Sequence, residues 1–316
     1  MGDSNTKQGI LLESGTNEVE IIEFYLGTQS FGVNVAKVKQ IVQFEDRLLT
    51  QVPKTHDAAI GSFQHRESTI PLIDLNIALE RTTDENEQRK LVLISEFNRN
   101  ISGFMIDGVN RIHRISWEQL QPMSSILVHQ KVPVIGSVRV DGREVLILDL
   151  EEILAEVSPG TSFAGYEDTL SQMAKNETAE DKELKIIIVE DSSFIRESIL
   201  ANMKKCGFEH VNAFENGRVA YEYLNGIKDK ISESGQKVKE LINIVVTDIE
   251  MPQMDGLSLC KFVKGDPALK EVPVVLFSSL INDEMARKCD SVGADAYMTK
   301  PNLPGMIELI LTHANR

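Results

Sequence analysis

The sequence is poor in cysteine and in positive charge, and it has no long apolar run. Three cysteines, Cys206, Cys260 and Cys289, stand among 316 residues. They are odd in number and far apart, with no Cys-x-x-Cys pair and no disulfide framework, which fits a reducing cytoplasm. The six histidines show no metal-site spacing such as His-x-x-x-His, so they read as satisfied or exposed side chains. No window of about 18 apolar residues occurs, so direct membrane insertion is not expected. The N-terminus lacks the charged-then-apolar pattern of a secretory signal. Met1-Gly2 followed by Ser4 and Thr6 faintly matches a myristoylation motif, one short match in a polar tail. Lys and Arg number 33 against 48 Asp and Glu, a net charge of −15. Such acidity repels phosphate backbones, and no Lys/Arg-rich run appears, so a nucleic-acid partner is not expected.

What is present divides in two. The stretch 1–181 carries 16 basic and 28 acidic residues, and 182–316 carries 17 and 20. At roughly 100–200 residues per domain, two domains are expected. We read 1–18 as a polar tail, 19–157 as a first domain, 158–181 as a linker and 182–316 as a second domain. The linker begins Ser158-Pro159-Gly160 and has few large apolar residues, although 166–175 has the makings of a short helix.

The first domain reads as mostly strand. Glu20–Leu26 and Phe31–Val35 form a hairpin across a Gly27-Thr28-Gln29-Ser30 turn. Ala36–Val42 has apolar residues at helical spacing and reads as a short helix. Ile70–Leu75 is a strand carrying Pro71, hence an edge or a strand start. Leu91–Ser95 and Ile101–Ile106 flank an Asn98-Arg99-Asn100 turn. Val134–Val140 and Glu144–Leu150 flank Asp141-Gly142, whose residues suit the positive φ angles of a type I′ turn. Short strands punctuated by turns mean small β barrels or a sandwich.

The second domain alternates strand and helix. Leu184–Val189 is a continuous apolar run, as for a strand buried on both faces. Five strands and five helices follow one another, which defines an α/β, doubly wound, five-stranded parallel sheet. Gly226–Leu241 is longer than a usual connection and reads as an exposed insertion. Ligands of such sheets bind at the carboxyl ends of the strands. Those ends carry Glu190-Asp191, Asp248, Ser278-Ser279 and Lys300-Pro301. Three converging carboxylates need neutralising, and hard oxygen ligands on an open rim suit Mg²⁺. A carboxylate beside Mg²⁺ and the Lys300 ammonium can attack a phosphoryl group in line. The Ser278 hydroxyl can hydrogen-bond the transferred group.

With those motifs in view, 184–316 resembles a response-regulator receiver domain. Ile188-Val189-Glu190-Asp191-Ser192, Thr247-Asp248-Ile249-Glu250-Met251-Pro252-Gln253-Met254-Asp255-Gly256, Phe277-Ser278-Ser279 and Tyr297-Met298-Thr299-Lys300-Pro301 carry the resemblance. It implies that Asp248 is the phosphoacceptor. It implies that Glu190, Asp191, Asp248 and the Glu250 backbone carbonyl hold Mg²⁺, and that Ser278 and Lys300 contact the phosphoryl. Tyr297 is then the aromatic that changes rotamer with Ser278, and Lys300-Pro301 the family's cis proline. Many receivers have Asp-Asp where this chain has Glu190-Asp191. The acidic Glu250 and apolar Leu280 near the path of the attacking water lead us to expect slow self-dephosphorylation.

A receiver needs an output, and the receiver here is the second of the two domains. The first shows no helix-turn-helix, no phosphate-binding glycine loop and no nucleophile–base pair; His56, His65 and His113 are scattered. A receiver-regulated enzyme or a transcriptional regulator is the alternative class, and neither has its residues here. Residues 19–157 resemble the CheW-like chemotaxis coupling domain, built from paired small β barrels. Glu23-Phe24-Tyr25-Leu26-Gly27, Phe31-Gly32-Val33, Val38-Lys39-Gln40-Ile41, Arg66 before Pro71-Leu72-Ile73-Asp74-Leu75, Val134-Ile135-Gly136 and Ile147-Leu148-Asp149-Leu150 carry this second resemblance. The family pattern is Asn-x-Arg-Gly where this chain has Gln64-His65-Arg66-Glu67. Arg66 is the candidate partner contact, because a planar donor fork anchors acidic groups. A coupling module followed by a receiver resembles the CheV type of chemotaxis protein. That implies a cytoplasmic, non-enzymatic adaptor, held at membrane receptor arrays through its partners. Those partners are methyl-accepting chemoreceptors and a histidine autokinase that also serves as phosphodonor.

Overall fold

The computed structural model describes residues 18–53, 56–66, 68–81, 90–97, 100–122, 133–158, 167–176, 178–279 and 281–314. The tail motif at Met1-Gly2, the Asn98-Arg99 pair, Glu67, residues 159–166 of the expected linker, and Leu280 lie outside these. The chain divides into two compact units, one of Glu20–Ile115 with Gln119–Gly165, the other chiefly Tyr166–Arg316.

The first unit is built on strands β1 (Glu18–Leu26), β2 (Gln29–Asn34), β3 (Val38–Gln43), β4 (Leu49–Thr50), β5 (Ala59–His65), β6 (Ser68–Asp74), β7 (Leu91–Phe97), β8 (Asn100–Ile106), β9 (Gly108–Ser116), β10 (Gln121–Pro122), β11 (Val134–Val140) and β12 (Arg143–Leu148). Among the described residues two short α-helices accompany them, α1 (Leu75–Ala78) and α2 (Leu150–Val157). The strands form two six-stranded sheets, in the orders β10-β11-β12-β2-β1-β9 and β3-β7-β8-β6-β5-β4. Phe24, Leu26, Phe31, Ile73, Phe104, Leu150 and Leu154 share one apolar core. A second cluster joins Phe63, Ile70, Leu72, Val92 and Ile94.

Two stretches of this unit repeat one another at a constant offset. Ala59-Ile60-Gly61-Ser62 answers Val134-Ile135-Gly136-Ser137, and Leu72-Ile73-Asp74-Leu75 answers Ile147-Leu148-Asp149-Leu150 at the same ends of their hairpins. Both hairpins shift register at their glycine. A Cβ on Gly61 would stand 2.5 Å from the Thr50 carbonyl oxygen, and one on Gly136 would stand 2.5 Å from that of Gln121. Both second strands then pair in parallel with a neighbour, β6 with β8 and β12 with β2. Asp74 and Asp149 each cap the following helix, accepting backbone N–H groups of its first turn.

Two sequence expectations give way here. Ala36–Val42 is not a helix: after a single 3₁₀ turn at Val35–Lys37, residues Val38–Gln43 form β3. Pairing with β7 wins over the 3.6-residue spacing, since β-branched Val38, Ile41 and Val42 suit a pleated surface. Nor is β6 an edge, for it lies between β5 and β8. Pro71 is tolerated because the parallel ladder with β8 begins only at Leu72.

The second unit opens with α3 (Glu167–Asn176) and α4 (Ala179–Lys182). It continues as β13 (Lys185–Val189), α5 (Ser193–Lys205), β14 (His210–Phe214), α6 (Gly217–Ser234), β15 (Ile244–Thr247), α7 (Gly256–Gly265), β16 (Val274–Ser278), α8 (Asp283–Ser291), β17 (Ala296–Thr299) and α9 (Leu303–Ala314). The five strands are parallel, in the order β14-β13-β15-β16-β17. Ile186–Val189, Ile244–Thr247 and Val274–Ser278 are buried along their whole length, as a sheet covered on both faces requires. Helices α6, α7 and α8 pack on the face of Ile187, Val189, Val245 and Leu276. The expected insertion is largely helical: Gly226–Ser234 continues α6, with Ile227 in the core, until Gly235 ends it at φ +70°.

Candidate functional site

The order of the strands decides what meets at the carboxyl rim. Strand β13 lies between β14 and β15, and β16 separates β15 from β17. The residues that follow β13 and β15 are therefore neighbours. Ligand oxygens of Glu190, Asp191 and Asp248 all lie within 4.8 Å of one another. Glu190 and Asp248 are buried, at 1% and 7% exposure, while Asp191 is half-buried.

Lys300 enters this group from the end of β17. Its Nζ lies 2.8 Å from Asp248 Oδ2 and 2.7 Å from Glu190 Oε2. The side chain is buried, and an ammonium is tolerated there because two carboxylates share it. One ammonium against three carboxylates leaves an excess of negative charge. The donor set is all carboxylate oxygen, which fits a hard divalent cation such as Mg²⁺ and not a thiolate- or imidazole-seeking metal.

Asp248 is held in place from both sides. Its N–H donates to the Val189 carbonyl at 2.8 Å, and its Oδ1 accepts from the Ile249 N–H at 2.6 Å. The Thr247 hydroxyl donates to its carbonyl at 2.9 Å. Gly256 closes behind it: a Cβ there would stand 1.8 Å from the Asp248 carbonyl oxygen, so only glycine fits. Ser278 is fully buried at the end of β16, and its carbonyl accepts from the Lys300 N–H at 3.1 Å. The Lys300–Pro301 peptide is cis. Tyr297 lies three residues before Lys300 on β17, half-buried and packed against the apolar core. Glu250 is half-buried, two residues past Asp248.

Sequence reasoning missed two supports of this site. Arg196, in the first turn of α5, donates through one guanidinium nitrogen to the carbonyls of Glu190 at 2.6 Å and Asp191 at 3.1 Å. The i to i+5 spacing from Asp191 carries the signal, but only once Ser192 is recognised as the N-cap of α5. The second is the role of Gly256: the Asp255-Gly256 pair closes the motif that carries the receiver resemblance and opens α7, but its close approach to the Asp248 carbonyl is not read from the sequence.

Arg66 belongs to the other unit, outside this site. It stands exposed at the turn between β5 and β6 with φ +54°, and donates to Gln40 Oε1 at 3.0 Å. It occupies the place that Asp141 takes in the β11–β12 hairpin, where φ is +49°. Sequence reasoning also passed over a buried polar cluster across β12, β2, β1 and β9. Glu23 is fully buried. It accepts from Ser30 Oγ and Asn110 Nδ2, both at 2.8 Å, and faces His113 Nε2 at 2.8 Å and Arg143 at 3.4 Å. Burial pushes its pKa up, but these hydrogen bonds and the Arg143 charge outweigh that and hold it below the usual carboxylate value.

Comparison with known proteins places both units. Residues 20–158 match the CheW-like domain and residues 186–311 match the response regulator receiver domain. The chain is 29% identical over 296 residues to chemotaxis protein CheV3 of Helicobacter pylori, covering 90% of this chain and 91% of that protein. It is 33% identical over 150 residues to the two-component response regulator ARR17 of Arabidopsis thaliana, covering 48% of this chain and 92% of that one. A scaffolding protein, TtCheW of Thermoanaerobacter tengcongensis, is a structural neighbour with 20% identity and a TM-score of 0.40, over 43% of this chain and 87% of that one. Fold and site thus define a two-component signalling protein, a CheW-like module followed by a receiver. That layout is the one shared with the CheV chemotaxis proteins, which the chain matches over about nine tenths of its length.

Proposed function

We propose that the chain is a chemotaxis adaptor whose CheW-like domain, 19–157, links methyl-accepting chemoreceptors to a histidine autokinase, and whose receiver, 182–316, adjusts that link. The juxtaposition of Asp248, Glu190, Asp191 and Lys300 carries the reading. An Asp248 carboxylate oxygen attacks the phosphorus of a phosphoryl donor such as the kinase phosphohistidine. The new O–P bond forms as the bond to the donor nitrogen breaks, and its electron pair leaves with the imidazole. Glu190, Asp191, Asp248 and the Glu250 carbonyl are the residues that would hold Mg²⁺, which when bound neutralises charge on the phosphoryl oxygens. The Lys300 ammonium, already on Asp248, follows the incoming negative charge. The Ser278 hydroxyl is the donor expected to meet the phosphoryl, with Tyr297 adjusting beside it.

Arg66 is our candidate contact for an acidic partner surface. Its positive φ is that of the hairpin turn, as at Asp141, and places an exposed guanidinium-bearing residue at the turn between β5 and β6. We read the chain as an adaptor rather than an enzyme. Among the described residues no helix is long and apolar enough to cross a membrane. We place the protein in the cytoplasm, at receptor arrays through its partners.

Kinase activity in a reconstituted receptor array tests the proposal. Wild type is expected to change that activity differently with and without phosphodonor, while Asp248→Ala shows one level in both. Identical behaviour of the two proteins, or array binding that survives without residues 1–157, would count against it.

A further inference from the structure

Residues 167–182 precede the receiver sheet, yet they are built onto the receiver. Helix α3 packs against both α5 and α9. Leu170 is 2% exposed and Met173 is half-buried, whereas Thr169, Ser171 and Gln172 face solvent. The helix thus lays one narrow apolar stripe on the receiver. The Leu170 carbonyl accepts from the Cys206 thiol, at 3.8 Å, where Cys206 caps the C-terminal end of α5. Helix α4 extends the attachment. Thr178 and Asp181 bond reciprocally at its start, and the Lys182 stem lies against Gly207, where an added Cβ would meet it at 3.1 Å.

The two helices that hold α3 are the two that leave the phosphoryl site. Helix α5 begins directly after Glu190-Asp191, and its Arg196 grips both of their carbonyls. Helix α9 begins at Leu303, three residues past Lys300, whose ammonium is shared by Asp248 and Glu190. A phosphoryl on Asp248 gives Lys300 a new, more negative partner, and so pulls on the start of α9. Arg196 meanwhile keeps α5 tied to the carboxylate pair. Helix α3 rests on both, so a shift of one against the other acts on its seat.

We propose that α3 is a latch whose hold on the α5–α9 face depends on the phosphoryl state of Asp248, loosening when Asp248 is phosphorylated. This rests on the reading of Asp248 above. It gives the receiver a way to change the chain segment that leads to the coupling module.

Hydrogen exchange of the full chain, read by mass spectrometry with Mg²⁺ and with or without acetyl phosphate, tests it. The same samples report the intact mass, and so the occupancy of Asp248. Exchange in 167–176 is expected to quicken at least about threefold in the phosphorylated chain. Leu170→Ala is expected to quicken it about tenfold without phosphodonor, and Leu170→Met to leave it near wild type. Met173→Ser serves as a milder variant on the same stripe should Leu170→Ala misfold. Phosphoryl mass gained with exchange in 167–176 unchanged or slowed overturns the latch and leaves the Asp248 reading standing. No phosphoryl mass overturns both.

Discussion

At the residue scale, single side chains set both the chemistry and its duration. Glu250 stands two positions past Asp248 with an acidic group. On our reading it repels the developing hydroxide that would hydrolyse the acyl phosphate. Replacing it with Asn is expected to shorten the phosphoryl half-life about fivefold, what roughly 1 kcal/mol of repulsion amounts to. A half-life unchanged or lengthened in Glu250→Asn rejects that role. Glu23 offers a test of the coupling module. Its folded pKa lies below the unfolded one. Its ionised form therefore adds stability above the ordinary carboxylate pKa of about 4.3, and that stability is lost as pH falls through the lower, folded value. Glu23→Gln should cost about 1–3 kcal/mol near neutral pH and progressively less in acid. Urea unfolding followed by circular dichroism at several pH values measures this; a pH-independent difference would show that the charge is not what the cluster stabilises.

At the element scale, caps and turns place the strands. Asp149 is 3% exposed and accepts from the N–H groups of Glu151 and Glu152 at 3.0 and 3.1 Å. Asp149→Ala is expected to lower stability by about 1–2 kcal/mol, and Asp149→Ser to recover most of it; equal losses in both would mean that capping is not its role. The elements of the receiver were legible because each buried parallel strand is a short apolar run ending in a polar group. The carboxylate cluster followed from those endings alone. In the coupling module the signal was mixed. Val38, Ile41 and Val42 fit a helical stripe and a strand equally well over so short a span, and only the partner strand β7 decides between them. Pro71 signalled an edge, though a parallel neighbour that starts one residue later leaves it room. The internal repeat of the Ile-Gly-Ser and Asp-Leu signatures was visible in the sequence and passed unread. Arg196 and Gly256 act on backbone carbonyls, so the spacing of Arg196 from Asp191 and the Asp255-Gly256 pair gain their meaning only once the strand ends and helix starts are placed.

At the scale of the whole molecule, two units with separate cores make two cooperative blocks. A ligand that binds one folded block raises the stability of that block by mass action. Scanning calorimetry is expected to show that Mg²⁺ raises the transition of the receiver and leaves that of the CheW-like domain in place. Asp191→Asn should remove most of the shift, since it takes a charge from the ligand group. Movement of both transitions, or of neither, would contradict the assignment. Charge is uneven on this scale too: most of the −15 falls in 1–181. Arg66 is thus an exposed cation on a strongly acidic half of the chain, and the contact we propose for it with an acidic partner is expected to weaken with salt.

The account stands or falls on a covalent event at one carboxylate. Purified chain given Mg²⁺ and acetyl phosphate should gain the mass of a single phosphoryl group, localised to Asp248 after reduction with borohydride, and Asp248→Ala should gain none. A wild-type chain that stays unmodified, or an Asp248→Ala chain that is modified just as well, would contradict it.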